Sequence, residues 1–248
     1  MKKLVIMLAG LAMAASAYAG TAPGTGVVGS VHDMRAYPGA VYDEDARVCA
    51  YCHTPHHALV DPTGELQPLW SHQFTGYINN WIPYQSPTLD ATIIDPLMGP
   101  SRLCMSCHDG VVAADQHYAT AGNLTGGLGG DAFGIGGGGR DIGLATDGVN
   151  ADFSNDHPIG FDYDAVATAD AGIFPKTRTF INNPNAVAVQ DVLMNDSIMT
   201  CATCHEVHNK DNVVNPYGGR NYLVYAPQDD SALCLTCHDK GNGTNELP

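Results

Sequence analysis

Four copies of Cys-x-x-Cys-His use every cysteine of this 248-residue chain. They are Cys49-Ala50-Tyr51-Cys52-His53, Cys104-Met105-Ser106-Cys107-His108, Cys201-Ala202-Thr203-Cys204-His205 and Cys234-Leu235-Thr236-Cys237-His238. Two thiols at this spacing followed by a histidine form the attachment signature of c-type haem. The sulfurs add to the two vinyl groups of one porphyrin, and the adjacent histidine lies beneath the ring to bind iron. Zinc ribbons do not require a histidine after each second cysteine, and a redox dithiol needs one pair rather than four. The motifs therefore predict four haem c groups, attached through Cys49, Cys52, Cys104, Cys107, Cys201, Cys204, Cys234 and Cys237. His53, His108, His205 and His238 are the expected proximal ligands.

Such chemistry belongs outside the cytoplasm, and the N-terminus reads accordingly. Residues 1–19 have the form of an export signal: Lys2 and Lys3, a short apolar run from Leu4 to Ala15, and a small-x-small site at Ala17-Tyr18-Ala19. The run is short for a membrane span, and no later stretch is long and apolar enough to be one. Losing Lys2 and Lys3 takes the formal charge from −15 to −17. Haem propionates would make it more negative. An acidic surface is a poor match for nucleic acid or anionic membrane, and a better one for cationic partners, metal ions or mineral surfaces. It also serves solubility.

The remaining chain leaves about 57 residues per haem, so the macrocycles are expected to supply much of the apolar core. The predicted fold is mostly irregular coil with short helices and little strand, organised around a closely packed chain of four haems. Gly and Pro punctuate most of the chain. Helices are expected around the motifs, over Asp43–Tyr51, Ser101–His108 and Ser231–His238, with a further one over Leu193–His205. A hairpin is expected over Val213–Tyr225, turning at Tyr217-Gly218-Gly219.

The ligands repeat along the chain. One half, residues 20–121, reads His32, then Cys49-x-x-Cys52-His53-x-x-His56, then Cys104-x-x-Cys107-His108. The other, residues 141–248, reads His157, then Cys201-x-x-Cys204-His205-x-x-His208, then Cys234-x-x-Cys237-His238. Each half offers four histidines for two irons. Between them, 122–140 is a glycine-rich linker or loop, with ten glycines in residues 122–139. Gly126-Gly127-Leu128-Gly129-Gly130-Asp131-Ala132-Phe133 matches one calcium β-roll repeat, but such a roll needs tandem copies.

The repeat nominates His32, His56, His157 and His208 as distal ligands, with His72 in reserve. His57 and His117 read as surface residues. His56 and His208 each lie three residues past a motif histidine, a tether of about 5–6 Å in a helical turn and about 10 Å extended. So short a tether cannot easily round the macrocycle to its own haem's far face. These two are therefore expected to bind the iron of a neighbouring haem, forcing haems into close, stacked contact. An acid beside His32 and His157 could orient a ring nitrogen, and Pro158 could stiffen the backbone. With all four irons bis-histidine, the haems would be low-spin and of lower potential than Met/His haems. Met34, Met98, Met105, Met194 and Met199 then read as packing residues.

The runs Ser30-Val31-His32-Asp33, Cys49-Ala50-Tyr51-Cys52-His53-Thr54-Pro55-His56, Cys104-Met105-Ser106-Cys107-His108-Asp109-Gly110, Asn155-Asp156-His157-Pro158-Ile159-Gly160 and Cys201-Ala202-Thr203-Cys204-His205-Glu206-Val207-His208 resemble the doubled-CxxCH multihaem cytochromes of anaerobic, metal-reducing bacteria. The resemblance covers nearly all of the mature chain except the glycine-rich insert. Tetrahaem members include outer-surface cytochromes that polymerise into extracellular nanowires, where a histidine of one subunit can bind a haem of the next. The resemblance implies an electron carrier exported to the cell surface or periplasm, with other redox proteins as partners. It also implies a homo-polymer with haem contact between subunits, and a metal oxide or other extracellular acceptor. It makes His32 and His56 the candidates for ligation in trans. Two other functions compete: a soluble periplasmic tetrahaem shuttle, and a multihaem reductase, which would need one haem without a distal ligand.

Overall fold

In a computed structural model the described residues are 26–36, 43, 45–61, 63–64, 68–74, 80–109, 142, 150–213 and 222–240. The export signal, the glycine-rich segment, His117 and the hairpin turn at 217–219 lie outside them. Among the described residues, no helix is long and apolar enough to cross a membrane.

Regular elements are short and cluster at the motifs. Single 3-10 turns occupy Met34–Ala36 and Val48–Tyr51. Helix α1 runs over Pro100–His108, α2 over Tyr163–Ala169, α3 over Cys201–Cys204 and α4 over Ala232–Cys237. Strand β1 (Asn80–Ile82) pairs in parallel with β2 (Asn150–Asp152), and β3 (Phe161–Asp162) pairs antiparallel with β4 (Ile198–Met199). Pro100 opens α1, where its fixed φ suits a first helical turn and its missing N–H costs nothing.

Two segments depart from the expected helices. Among the described residues of the stretch 43–51, only Val48–Tyr51 is helical. In 193–205 the helix is confined to Cys201–Cys204, because Asn195 and Asp196 both take positive φ and make a tight reversal. The Ile198 amide donates to the Met194 carbonyl at 2.8 Å across it, and β4 follows. Asn and Asp tolerate this left-handed backbone better than other non-glycine residues. Helix α2 was not among the expected helices. It starts where the Asp162 carboxylate accepts from the Ala165 amide at 2.9 Å, an N-cap outside every Cys-x-x-Cys-His motif in the sequence.

The larger core lies in the second half. Phe161, Tyr163, Phe180, Val187, Val189, Leu193, Met199, Tyr225 and Ala226 form it, with Cys204 and Cys237 packed against its side. A smaller one joins Leu97, Met105 and Phe153, flanked by Trp81, whose ring stacks on Phe153 at 5.3 Å. Met34, Met105 and Met199 are buried packing residues.

The two halves of the repeat interlock. β1 and β2 join residues from either side of the glycine-rich segment. The Cys201 amide donates to Ser101 Oγ at 3.1 Å where α1 meets α3. The Gly26 amide donates to the His208 carbonyl at 2.9 Å. Gly160 is clamped between the halves: its amide donates to the Met199 carbonyl and its carbonyl accepts from the Ile94 amide, each at 2.8 Å. Its φ is +77°, and a Cβ there would overlap the Asp95 carbonyl oxygen, so only glycine fits.

Candidate functional site

Each Cys-x-x-Cys closes one helical turn. The His53, His205 and His238 amides donate to the carbonyls of Cys49, Cys201 and Cys234 at 2.8, 3.1 and 2.9 Å, and the second motif lies within α1. A turn brings side chains three apart onto one face, which presents two sulfurs together to one edge of a flat ligand.

The two Cys-x-x-Cys-His-x-x-His segments share more than their sequence. Residues 68–70 run beside the first and residues 222–224 beside the third. Trp70 bridges antiparallel to His53, and Val224 to His205. Two residues earlier in each run, a carbonyl faces the histidine: Pro68 O lies 2.7 Å from His53 Nδ1, and Tyr222 O lies 2.8 Å from His205 Nδ1. Between them stand Leu69 and Leu223, with φ of 58° and 60°. A leucine pays strain for this backbone, and here it turns the preceding carbonyl onto the ring. A carbonyl only accepts, so Nδ1 carries the proton and Nε2 keeps its lone pair for a metal.

The decisive geometry is between histidines. His32 faces His108 with ring centroids 6.0 Å apart, His208 faces His53 at 6.3 Å, and His157 faces His238 at 6.2 Å. Every pair matches one motif histidine with one of the nominated free histidines. An iron held between two imidazoles by bonds of about 2 Å needs ring centroids about 6 Å apart. The residues present therefore fit a six-coordinate iron in three places. His208 stands opposite His53 and not opposite its own neighbour His205, as the tether length requires.

His205 and His56 are not brought together. Among the described residues no imidazole stands opposite His205 at this spacing, and His56 is exposed. The Thr54 hydroxyl donates to the His56 carbonyl at 2.7 Å and holds the backbone there. His72 is fully buried, with Nδ1 3.1 Å from the Gln73 carbonyl. His57 is exposed at positive φ.

Electrostatics favour neutral imidazoles at several of these positions. Burial, then the neighbouring His108, His205 and His208, takes His32 down to about 4. Burial likewise lowers His205 and His238. These histidines therefore keep a free nitrogen lone pair at neutral pH. His208 moves the other way, raised by the Glu206 carboxylate that accepts from its Nδ1 at 3.1 Å.

The sulfurs trace how the motifs adjoin. In this unmodified chain they are thiols standing where thioethers would be. The thiols of Cys104 and Cys201 are hydrogen-bonded to each other, which draws Cys201 down to about 7 and pushes Cys104 up. Burial pushes Cys204 up to about 12, with the Cys237 thiol adding to the shift. The second motif thus touches the third, and the third and fourth pack against the same core through Cys204 and Cys237. The first is tied to the second through Trp70, whose indole N–H donates to Ser106 Oγ at 3.1 Å and whose ring meets His53 edge-on. It is tied to the third through His208.

Several site residues have no signature in the sequence. Pro68 and Tyr222 act through main-chain carbonyls, which no residue type announces. Glu206 was visible only as an acid next to His205. The acids beside His32 and His157 are not the ring partners: Asp33 binds Arg35 at 2.8 Å, and His157 Nδ1 meets the Pro158 carbonyl at 2.9 Å. No protein-family model matches the chain, and no curated protein matches it.

Proposed function

We propose that the chain carries four covalently attached c-type haems and transfers electrons between redox partners outside the inner membrane, as a subunit of an extracellular cytochrome filament. The observation that carries this reading is the set of three imidazole pairs at 6.0–6.3 Å, each joining a Cys-x-x-Cys-His histidine to a free one. The bound irons supply one-electron chemistry, and the protein supplies spacing, orientation and a controlled environment. Pro68, Tyr222, Pro158 and Glu206 orient ligand rings through Nδ1. The hydrogen-bonded thiols of Cys104 and Cys201, and the common core against which Cys204 and Cys237 pack, would keep successive porphyrin edges close, as hopping requires.

The filament part rests on the unmatched histidines. His205 has a prepared Nε2 and no partner among the described residues, while His56 is exposed. His56 of a second copy then completes the iron of His205, and polymerisation and ligation become one event. The specific rival is a reductase, in which the same iron stays open.

Mass spectrometry of protein matured with haem tests the first claim, with four covalent haems expected. Electron microscopy and electron paramagnetic resonance test the second. His56→Ala is expected to abolish filaments and turn one low-spin haem high-spin. A wild-type filament that retains one high-spin, carbon-monoxide-binding haem would favour the reductase. Discrete particles with entirely low-spin haem would favour the soluble shuttle.

A further inference from the structure

The three histidine pairs differ in two respects that bear on how strongly each would hold an iron oxidised. The first is the partner of the outer nitrogen. His53 and His157 give Nδ1–H to backbone carbonyls, whereas His208 gives it to the Glu206 carboxylate. Glu206 Oε1 also accepts from the His208 amide at 2.9 Å, so ring and backbone are held by the same oxygen. A charged acceptor makes a stronger hydrogen bond than a neutral one and pushes electron density through the ring to Nε2. The second is the angle between paired rings: 18° for His53 and His208, against 63° for His32 and His108 and 71° for His157 and His238. Parallel imidazoles donate into the same iron d orbital and raise it, so the electron hole of a ferric ion settles there. Near-perpendicular rings divide their donation between two orbitals and lose that preference.

Both effects favour the ferric state, and both are present at the pair of His53 and His208. Resting on the haem reading above, we propose that the site of Cys49, Cys52, His53 and His208 has the lowest potential of the three sites with a matched histidine pair, and that Glu206 is the residue that sets it. Glu206 is a positioning residue acting through His208. Side-chain hydrogen bonding to an axial ligand is among the levers a protein has on a haem. The asymmetry gives the three matched sites a polarity that the repeat does not: the first motif holds electrons least willingly, and the second and fourth draw them away.

The test is a redox titration of the haem-loaded, full-length protein followed by electron paramagnetic resonance. The near-parallel pair gives a rhombic low-spin signal, and the near-perpendicular pairs give signals dominated by one large g value. His208→Ala identifies the rhombic signal by removing it. In the wild type that signal is expected to outlast those of the two near-perpendicular pairs on reduction. Glu206→Gln keeps an acceptor oxygen of the same shape without the charge. It is expected to raise the ratio of reduced to oxidised haem at this site about tenfold at fixed potential, or about 59 mV for one electron. The other signals stay in place and the haem stays low-spin. Asp211→Asn makes the same charge change on the following loop without touching the ring, and is expected to leave the titration unmoved.

Two results overturn the inference: a rhombic signal that bleaches before those of the other two pairs, or a Glu206→Gln protein that matches the Asp211→Asn control. A chain that carries four haems and gives either result refutes this assignment alone. A chain without covalent haem refutes the parent reading as well.

Discussion

At the scale of single residues, the site is a set of imidazoles whose outer nitrogen is spoken for. His53, His157 and His205 each place Nδ1 on a main-chain carbonyl, which fixes the tautomer and aims Nε2 at a metal. On the haem reading, the free histidine of each pair is the replaceable member, since the flanking cysteines would tie the motif histidine to its haem. His32→Ala and His157→Ala are each expected to convert one low-spin haem to a high-spin, carbon-monoxide-binding one while all four haems stay attached. Electron paramagnetic resonance with haem mass checks this, and a variant that stays fully low-spin would remove that histidine from the ligand set. Half-buried His32 is also where three other histidines converge electrostatically, so its loss should be felt beyond His108.

At the scale of elements, short turns are stabilised by where they end. The run 68–70 and the run 222–224 place the same left-handed leucine and the same carbonyl beside the two Cys-x-x-Cys-His-x-x-His turns. The repeat is thus a structural module, not only a spacing of ligands. Gly160 is the most demanding backbone position between modules, with φ of +77° and the Asp95 carbonyl where a Cβ would go. Gly160→Ala is expected to cost roughly 1–3 kcal/mol from the backbone conformation alone, with the steric overlap adding to it. Denaturant unfolding of the haem-loaded protein, read as a lowered midpoint, checks this. An unchanged midpoint would mean that β3 and the 94–96 segment relax apart freely.

At the scale of the whole molecule, the cores among the described residues are small. The larger core draws on one half of the repeat, and the smaller one has three buried residues. Motif cysteines Cys204 and Cys237 line the larger core instead of lying apart from it. The macrocycles would complete these surfaces, much as structural metals complete small domains. Replacing all eight motif cysteines by serine is expected to leave a chain without cooperative thermal unfolding and with the circular dichroism of a disordered polypeptide. A cooperative transition in that variant would show that the polypeptide core suffices.

What the sequence determined by itself was local. Cys-x-x-Cys-His is a contiguous motif, and a three-residue spacing within one turn follows from helix geometry whatever surrounds it. The free histidines His32, His157 and His208 could be nominated because their order repeats. The tether length also led to the expectation that His208 faces a motif histidine other than its neighbour His205, and it faces His53. The helices at α1 and α4 were legible for the same local reason. Which histidine faces which motif was decided by tertiary structure alone: His32 with His108, His208 with His53, His157 with His238. These pairings join residues far apart in the chain, and one of them crosses the two halves, so no periodicity encodes them. The same holds for ring orientation. It depends on carbonyls of Pro68 and Tyr222, which every residue possesses, and on two leucines whose backbone only the surrounding packing could hold in a left-handed conformation.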